Sequence, residues 1–112
     1  MVAASTETDV CVAFATAPDE AVALRIARAL VDERLAACAN LLPGVRSIYR
    51  FRGDVEDEHE VLLVIKTCAD RVEALAERLR ALHPYEVPEL VVVPTAGGLA
   101  PYLDWVRAET RP

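Results

Sequence analysis

The sequence predicts an α+β domain ordered strand, helix, strand, strand, helix, strand, with a further helix closing the chain. Three observations carry that prediction. Apolar residues recur at helical spacing over 16–35 and 70–82. Short apolar runs at 9–16, 60–68 and 90–94 read as strands. Gly53-Asp54 then supplies a two-residue turn between two extended stretches.

The first strand, "DVCVAFAT" (9–16), is short, apolar and bounded by a turn signal. In the helix after it, "TAPDEAVALRIARALVDERL" (16–35), Thr16 caps the first turn, Asp19 follows three residues on, and Pro18 is tolerated there. Leu24, Ala27, Leu30, Val31 and Leu35 make its apolar face, while Arg25, Arg28, Asp32 and Glu33 face water. "AACANLLPGVRSIYRFR" (36–52) is extended, with Pro43-Gly44 interrupting it as a bend or bulge. The turn at Gly53-Asp54 sets Arg50 opposite Asp57 and explains the arginines that face a run of acids over 54–60. "EVLLVIKTC" (60–68) returns as a strand. "DRVEALAERLRAL" (70–82) has Asp70 and Glu73 spaced as a capping box, with Val72, Leu75, Ala76, Leu79 and Leu82 on one face. "LVVVP" (90–94) is a short buried strand ended by Pro94. "LAPYLDWVRAET" (99–110) is the closing helix, with Pro101 in its first turn.

This order is the split βαβ of ferredoxin-like folds, a four-stranded antiparallel sheet with helices on one face. Residues 1–8 form a polar tail expected to be loose, and 9–112 a single domain. Segment 61–65 (VLLVI) is apolar at every position, whereas a strand covered on one face alternates. Another subunit is expected on the second face. A chain with 54% apolar residues and mean hydropathy +0.23 also has more apolar surface than one small core hides.

A net charge of −6 and a pI of about 4.8 argue against nucleic acid or an anionic membrane as partner. The opening "MVAASTETDV" lacks the basic and apolar regions of a signal peptide, and no apolar run approaches the ~20 residues of a membrane span. Cys11, Cys38 and Cys68 are far apart and form no disulfide framework or CxxC motif, so a reducing, cytoplasmic setting is expected.

The richest stretch for chemistry is "ALHPYEVPEL" (81–90). Pro84 stops the second helix and biases His83 toward an extended conformation, and Pro88 stiffens the rest. His83 reads either as a helix terminator or as a ligand for a transition metal, with Cys38, Glu86 and Glu89 as helpers on chemistry alone. Tyr49, Tyr85, Tyr102 and Trp105 read as cleft or interface residues. Lys66-Thr67 is a polar strand end that could also hold an anion, with Arg50 and Tyr85 as further residues to test. The acid-rich "DVEDEHE" (54–60) matches no EF-hand spacing and reads as a solvated hairpin end. No nucleophile elbow, dinucleotide fingerprint or phosphate loop occurs. Cys38 with His83 is the one nucleophile–base pair the sequence offers, and no catalytic residue is assigned.

Taken together, "TAPDE" (16–20), "ERLAACANLLPGVRSIYR" (33–50), "EVLLVIKT" (60–67), "HPYEVPEL" (83–90) and "YLDWV" (102–106) resemble the CutA family of divalent-cation tolerance proteins. The resemblance runs from about residue 10 to residue 106. It implies a ferredoxin-like subunit shaped like the PII signalling proteins, a homotrimer, and a cytoplasmic role in tolerance to copper and other divalent cations. It implies no catalytic reaction, no metal needed for folding and no named protein partner. The copper site of enterobacterial members uses a cysteine before "TAPDE" and two histidines before "PY". This chain has Ala15 and Leu82-His83 there, so the resemblance carries over His83 alone. Phe51 stands where a tryptophan is common and Asp54 where a lysine is common. The implied role is binding of Cu(II) or another divalent metal; the alternative is a PII-like trimer holding a small anion or protein partner in its intersubunit clefts.

Overall fold

Along the chain run β1 (Val10–Ala17), α1 (Glu20–Asp32), β2 (Cys38–Phe51), β3 (Asp54–Cys68), a single 3-10 turn (Ala69–Arg71), α2 (Val72–Leu82), β4 (Val91–Pro94) and α3 (Ala100–Glu109). The computed structural model describes residues 8–112. The expected loose tail therefore lies outside the described residues, except for Thr8. Its backbone N–H donates to the Thr95 carbonyl at 3.0 Å.

The strands form one antiparallel sheet in the order β2-β3-β1-β4. The predicted α+β order is the one observed. On the helix-covered face, Ala13, Ala15 and Ala17 of β1 lie opposite Ile65, Leu63 and Val61 of β3. The alanines leave room for α1 to settle close on the sheet through Ala23, Ile26, Ala27 and Leu30, beside Leu75 and Leu79 of α2. The other face is covered at one end only, where Val106 of α3 packs on Val10, Ala37 and Cys68. Beyond α3 that face carries half-buried Val12, Phe14, Leu62 and Val64, and exposed Leu42, Val91 and Val93.

Several local expectations are corrected. The turn of the hairpin is Arg52-Gly53, one residue earlier than predicted, because both residues take positive φ (+52° and +87°) as the favoured hairpin turn requires. The register moves with it: Arg50 faces Val55, and Asp57 faces Ile48. Strand β3 begins at Asp54 instead of residue 60, so the hairpin is far longer than the apolar run implied. Pro43-Gly44 is a bulge, two residues set against Val61 alone, with Gly44 at φ +81°.

Helix α1 is capped by Asp19, whose carboxylate accepts from the Val22 N–H at 2.8 Å; Thr16 remains in the strand. The buried stripe of α1 is rotated from the expected one: Ala23 and Ile26 are inside, whereas Leu24 and Val31 are exposed. No capping box forms at Asp70. Its carboxylate is taken by the Arg111 guanidinium in a two-bond pair at 2.6 and 3.0 Å, which ties the segment after α3 to the turn that follows β3. Strand β4, expected to be buried, is an edge strand paired with β1 alone, and all four of its residues are exposed.

Candidate functional site

Strand β1 ends at Ala17, opposite Val61, while β2 and β3 continue beyond it as a two-stranded arm. The connector from α2 to β4 passes beside that arm, and an open cavity of about 590 Å³ lies between them. Ser47, Ile48, Tyr49 and Phe51 line it from the arm, and Tyr85, Glu86, Val87 and Glu89 from the connector. Glu60 and Thr16 lie where β3 and β1 part.

His83 holds the connector in place. Its backbone N–H closes α2 on the Leu79 carbonyl at 2.9 Å. The ring is buried and tilted against Tyr85. Its Nε2–H donates to the Thr16 carbonyl at 2.7 Å, and Nδ1 accepts from the Tyr85 N–H at 3.1 Å. One nitrogen donates and the other accepts, so the ring is a neutral imidazole with both positions engaged. A metal could reach it only after one of these bonds opened.

Glu60 is the residue sequence reasoning missed. It is 7% exposed, and its Oε2 accepts from the Tyr85 hydroxyl at 2.9 Å. The available signal was its place as the last of the alternating acids Glu56, Glu58 and Glu60, just before an apolar run. Burial, then the bond to Glu60, pushes the Tyr85 phenol well above its ordinary range. The Tyr49 hydroxyl donates to Glu58, and that bond raises its pKa to about 12. Glu89 is exposed overall, but desolvation of its carboxyl, then the nearby charge of Glu60, raises its pKa. Glu86 pairs with Arg52 from the hairpin tip, which bridges arm and connector across the mouth.

The other predicted residues do not join this site. Thr67 is fully buried and its hydroxyl donates to the Leu35 carbonyl at 2.7 Å, so its expected cleft or anion role is corrected to a structural one. Lys66 bonds Asn40, as does the Cys38 thiol at 3.8 Å. Arg50 turns back to the Gly53 carbonyl at 3.2 Å. Cys38 pairs with Lys66 in the ladder and His83 docks at Thr16, the partner of Leu62. Four residues of strand separate those positions, about 13 Å, so the suggested nucleophile–base pair does not assemble. Tyr102 and Trp105 are a tilted, partly exposed pair 5.6 Å apart on α3. Among the described residues, no three His, Cys, Asp or Glu side chains gather as a metal site.

Residues 11–109 match the family described as CutA1 divalent ion tolerance protein. The divalent-cation tolerance protein CutA of Thermus thermophilus is 52% identical over 99 residues, 88% of this chain and 96% of that protein. Human protein CutA is 50% identical over 90% of this chain, and the chain spans 56% of that longer protein. The crystal structure of CutA from Xylella fastidiosa superposes with a TM-score of 0.90 at 47% identity, covering 93% of this chain and all of that one.

Proposed function

As a member of the family of CutA1 divalent ion tolerance proteins, to which the chain belongs, this protein, we propose, acts in tolerance by binding a transition-metal cation, Cu(II) or another divalent ion, on the carboxylates of the cavity. The observation that carries this reading is Glu60, an almost buried acid with a second acid, Glu89, inside its electrostatic reach. A nearly buried carboxylate and a partly desolvated one near it repel each other, and a cation between them relieves the repulsion. No lysine, arginine or histidine is among the lining residues, and Arg52 at the mouth is paired with Glu86, not with Glu60 or Glu89.

Two carboxylates and a phenol do not complete a coordination shell. Donors from a second copy of the chain would complete it, and the reading therefore includes the homotrimer. The part of the second sheet face that α3 leaves uncovered and the exposed edge strand β4 support that assembly. The three free thiols Cys11, Cys38 and Cys68 fit a reducing, cytoplasmic setting. Among the described residues no helix is long and apolar enough to cross a membrane. His83 becomes a ligand only by releasing Thr16 or Tyr85, and the bound form would have to supply that rearrangement. The PII-like alternative, a small anion held by Lys66, Arg50 and Tyr85, draws no support from the structure, because Lys66 bonds Asn40, Arg50 turns back to Gly53 and the Tyr85 hydroxyl is on Glu60.

Native mass spectrometry with Cu(II) and Zn(II) titrations tests the reading. Three chains of 12.2 kDa give a trimer of about 37 kDa. Saturable metal uptake should weaken at least tenfold in Glu60→Gln, about 1.4 kcal/mol. Uptake unchanged in Glu60→Gln but abolished in His83→Ala would move the site to the histidine. Absence of saturable uptake in the wild type would end the metal reading.

A further inference from the structure

The second face of the sheet carries a charge pattern as well as an apolar surface. Strand β3 places Glu60, Leu62, Val64 and Lys66 on it in alternation. Leu42 of β2 lies opposite Leu62, and Phe14 and Val12 of β1 lie opposite Val64 and Lys66. Between Glu60 and Lys66 the strands add no other charge to this face. At about 3.3 Å per residue the two charges stand roughly 20 Å apart along β3. The face is therefore apolar in the middle, negative at one end and positive at the other.

Neither charge meets its opposite within the chain. Lys66 is half-buried, forms no ion pair among the described residues and donates to the neutral amide oxygen of Asn40. Glu60 is 7% exposed; its Oε2 accepts from Tyr85, and its Oε1 has no hydrogen-bond partner among the described residues. A face built this way is complementary to itself when a second copy lies on it head to tail. The apolar centres then cover each other, and the lysine end of one copy meets the glutamate end of the next. Repeated about an axis, such a head-to-tail contact closes a ring.

We propose that this face is occupied by a second copy of the chain, docked so that Lys66 of one copy donates to Glu60 Oε1 of the next. The neighbour supplies the cation that the lining of the cavity lacks. A charge-assisted hydrogen bond then stabilises a carboxylate that docking would otherwise leave buried and uncompensated. The pairing rests on the homotrimer of the preceding reading and deepens it, because it names the residue that each copy contributes to its neighbour's cavity. It gives Glu60 a counter-charge without metal, and a divalent ion then enters in place of the ammonium.

Lys66 is the only lysine in the chain, which makes the contact chemically addressable. The test is zero-length carbodiimide cross-linking of the full chain in metal-free buffer. The reagent joins an amine to a carboxylate as an amide and takes up the water as its urea. Peptide mass mapping should find Lys66 joined to Glu60, which lie too far apart within one chain to be linked, and the link should be lost in Glu60→Gln. A second arm does not depend on access of the reagent. Lys66→Glu sets acid against acid and should shift dissociation of the trimer to lower guanidinium concentration; adding Glu60→Lys should restore it. A trimer that shows neither the link nor the restoration overturns the pairing and leaves the homotrimer standing. A chain that stays monomeric overturns the pairing and the homotrimer together.

Discussion

The β2–β3 hairpin, interrupted by one bulge at Pro43-Gly44, has two halves with different surroundings. At its root, Leu63, Ile65 and Thr67 are fully buried beneath α1 and α2 or against the turn that follows α1. In its arm, Ile48 and Val55 are 69% and 61% exposed, and pairing across the strands is most of what holds it. Pairing of β2 with β3 runs through both halves, broken by the Pro43-Gly44 bulge, but only at the root does β3 also pair with β1. Cover makes the difference: the root is fixed by packing, and the arm is free to wall a cavity or meet another chain. Glu60 sits at the junction, buried like the root and charged like the arm.

The largest expected effect lies at the root. Leu63→Ala removes a fully buried side chain and should lower stability by roughly 3 kcal/mol, read as a fall in Tm of about 10–20 °C. A fall of only a degree or two would show that the root is not the anchor described. At the tip of the arm, Gly53→Ala meets no neighbour, but it forces an L-residue to φ +87° and should cost about 1 kcal/mol in chemical denaturation. A neutral result there would mean that the turn relaxes without help from the root.

Smaller effects test the junction and the arm surface. Burial and Glu60 raise the Glu89 pKa in the folded chain, so its protonation favours folding at low pH, and that contribution is lost as pH rises through the raised value. At neutral pH its charge then opposes folding. Glu89→Gln should accordingly raise Tm slightly at pH 7, by no more than ~2 °C, and the gain should vanish near pH ~3.5. A gain that persists at low pH would remove the charge explanation. Smallest of all is Arg46→Ala. It deletes a two-bond pair with Asp57 at 2.8 and 2.7 Å, yet both partners face water, so Tm should move by about 1 °C or less.

The elements were legible because periodicity is local. The 3.6-residue repeat of 70–82 and the apolar run before Cys68 stand in the sequence as they stand in the fold. Details settled by competition between distant partners were not. Asp70 has the spacing of a capping box, but Arg111, forty-one residues away, captures it. The hairpin turn slipped by one residue because Arg52, with no glycine to announce it, takes positive φ. The candidate site was half visible. The connector 83–90 stood out through its prolines and His83, and it does line the cavity. Glu60 did not, because an acid in a run of acids resembles any solvated strand end.

By itself the sequence determined the order of elements, the ferredoxin-like class and the membership of a family, all of which rest on patterns readable within a short window or along a line. Tertiary structure alone decided which residues face one another. It turned His83 inward so that both ring nitrogens are engaged, buried Thr67 against Leu35, and set Glu60 beside Tyr85 and Glu89. The physical reason is that burial and electrostatics belong to the space between elements. A carboxylate acquires its character from what surrounds it, and those neighbours lie twenty-five and twenty-nine positions along the chain.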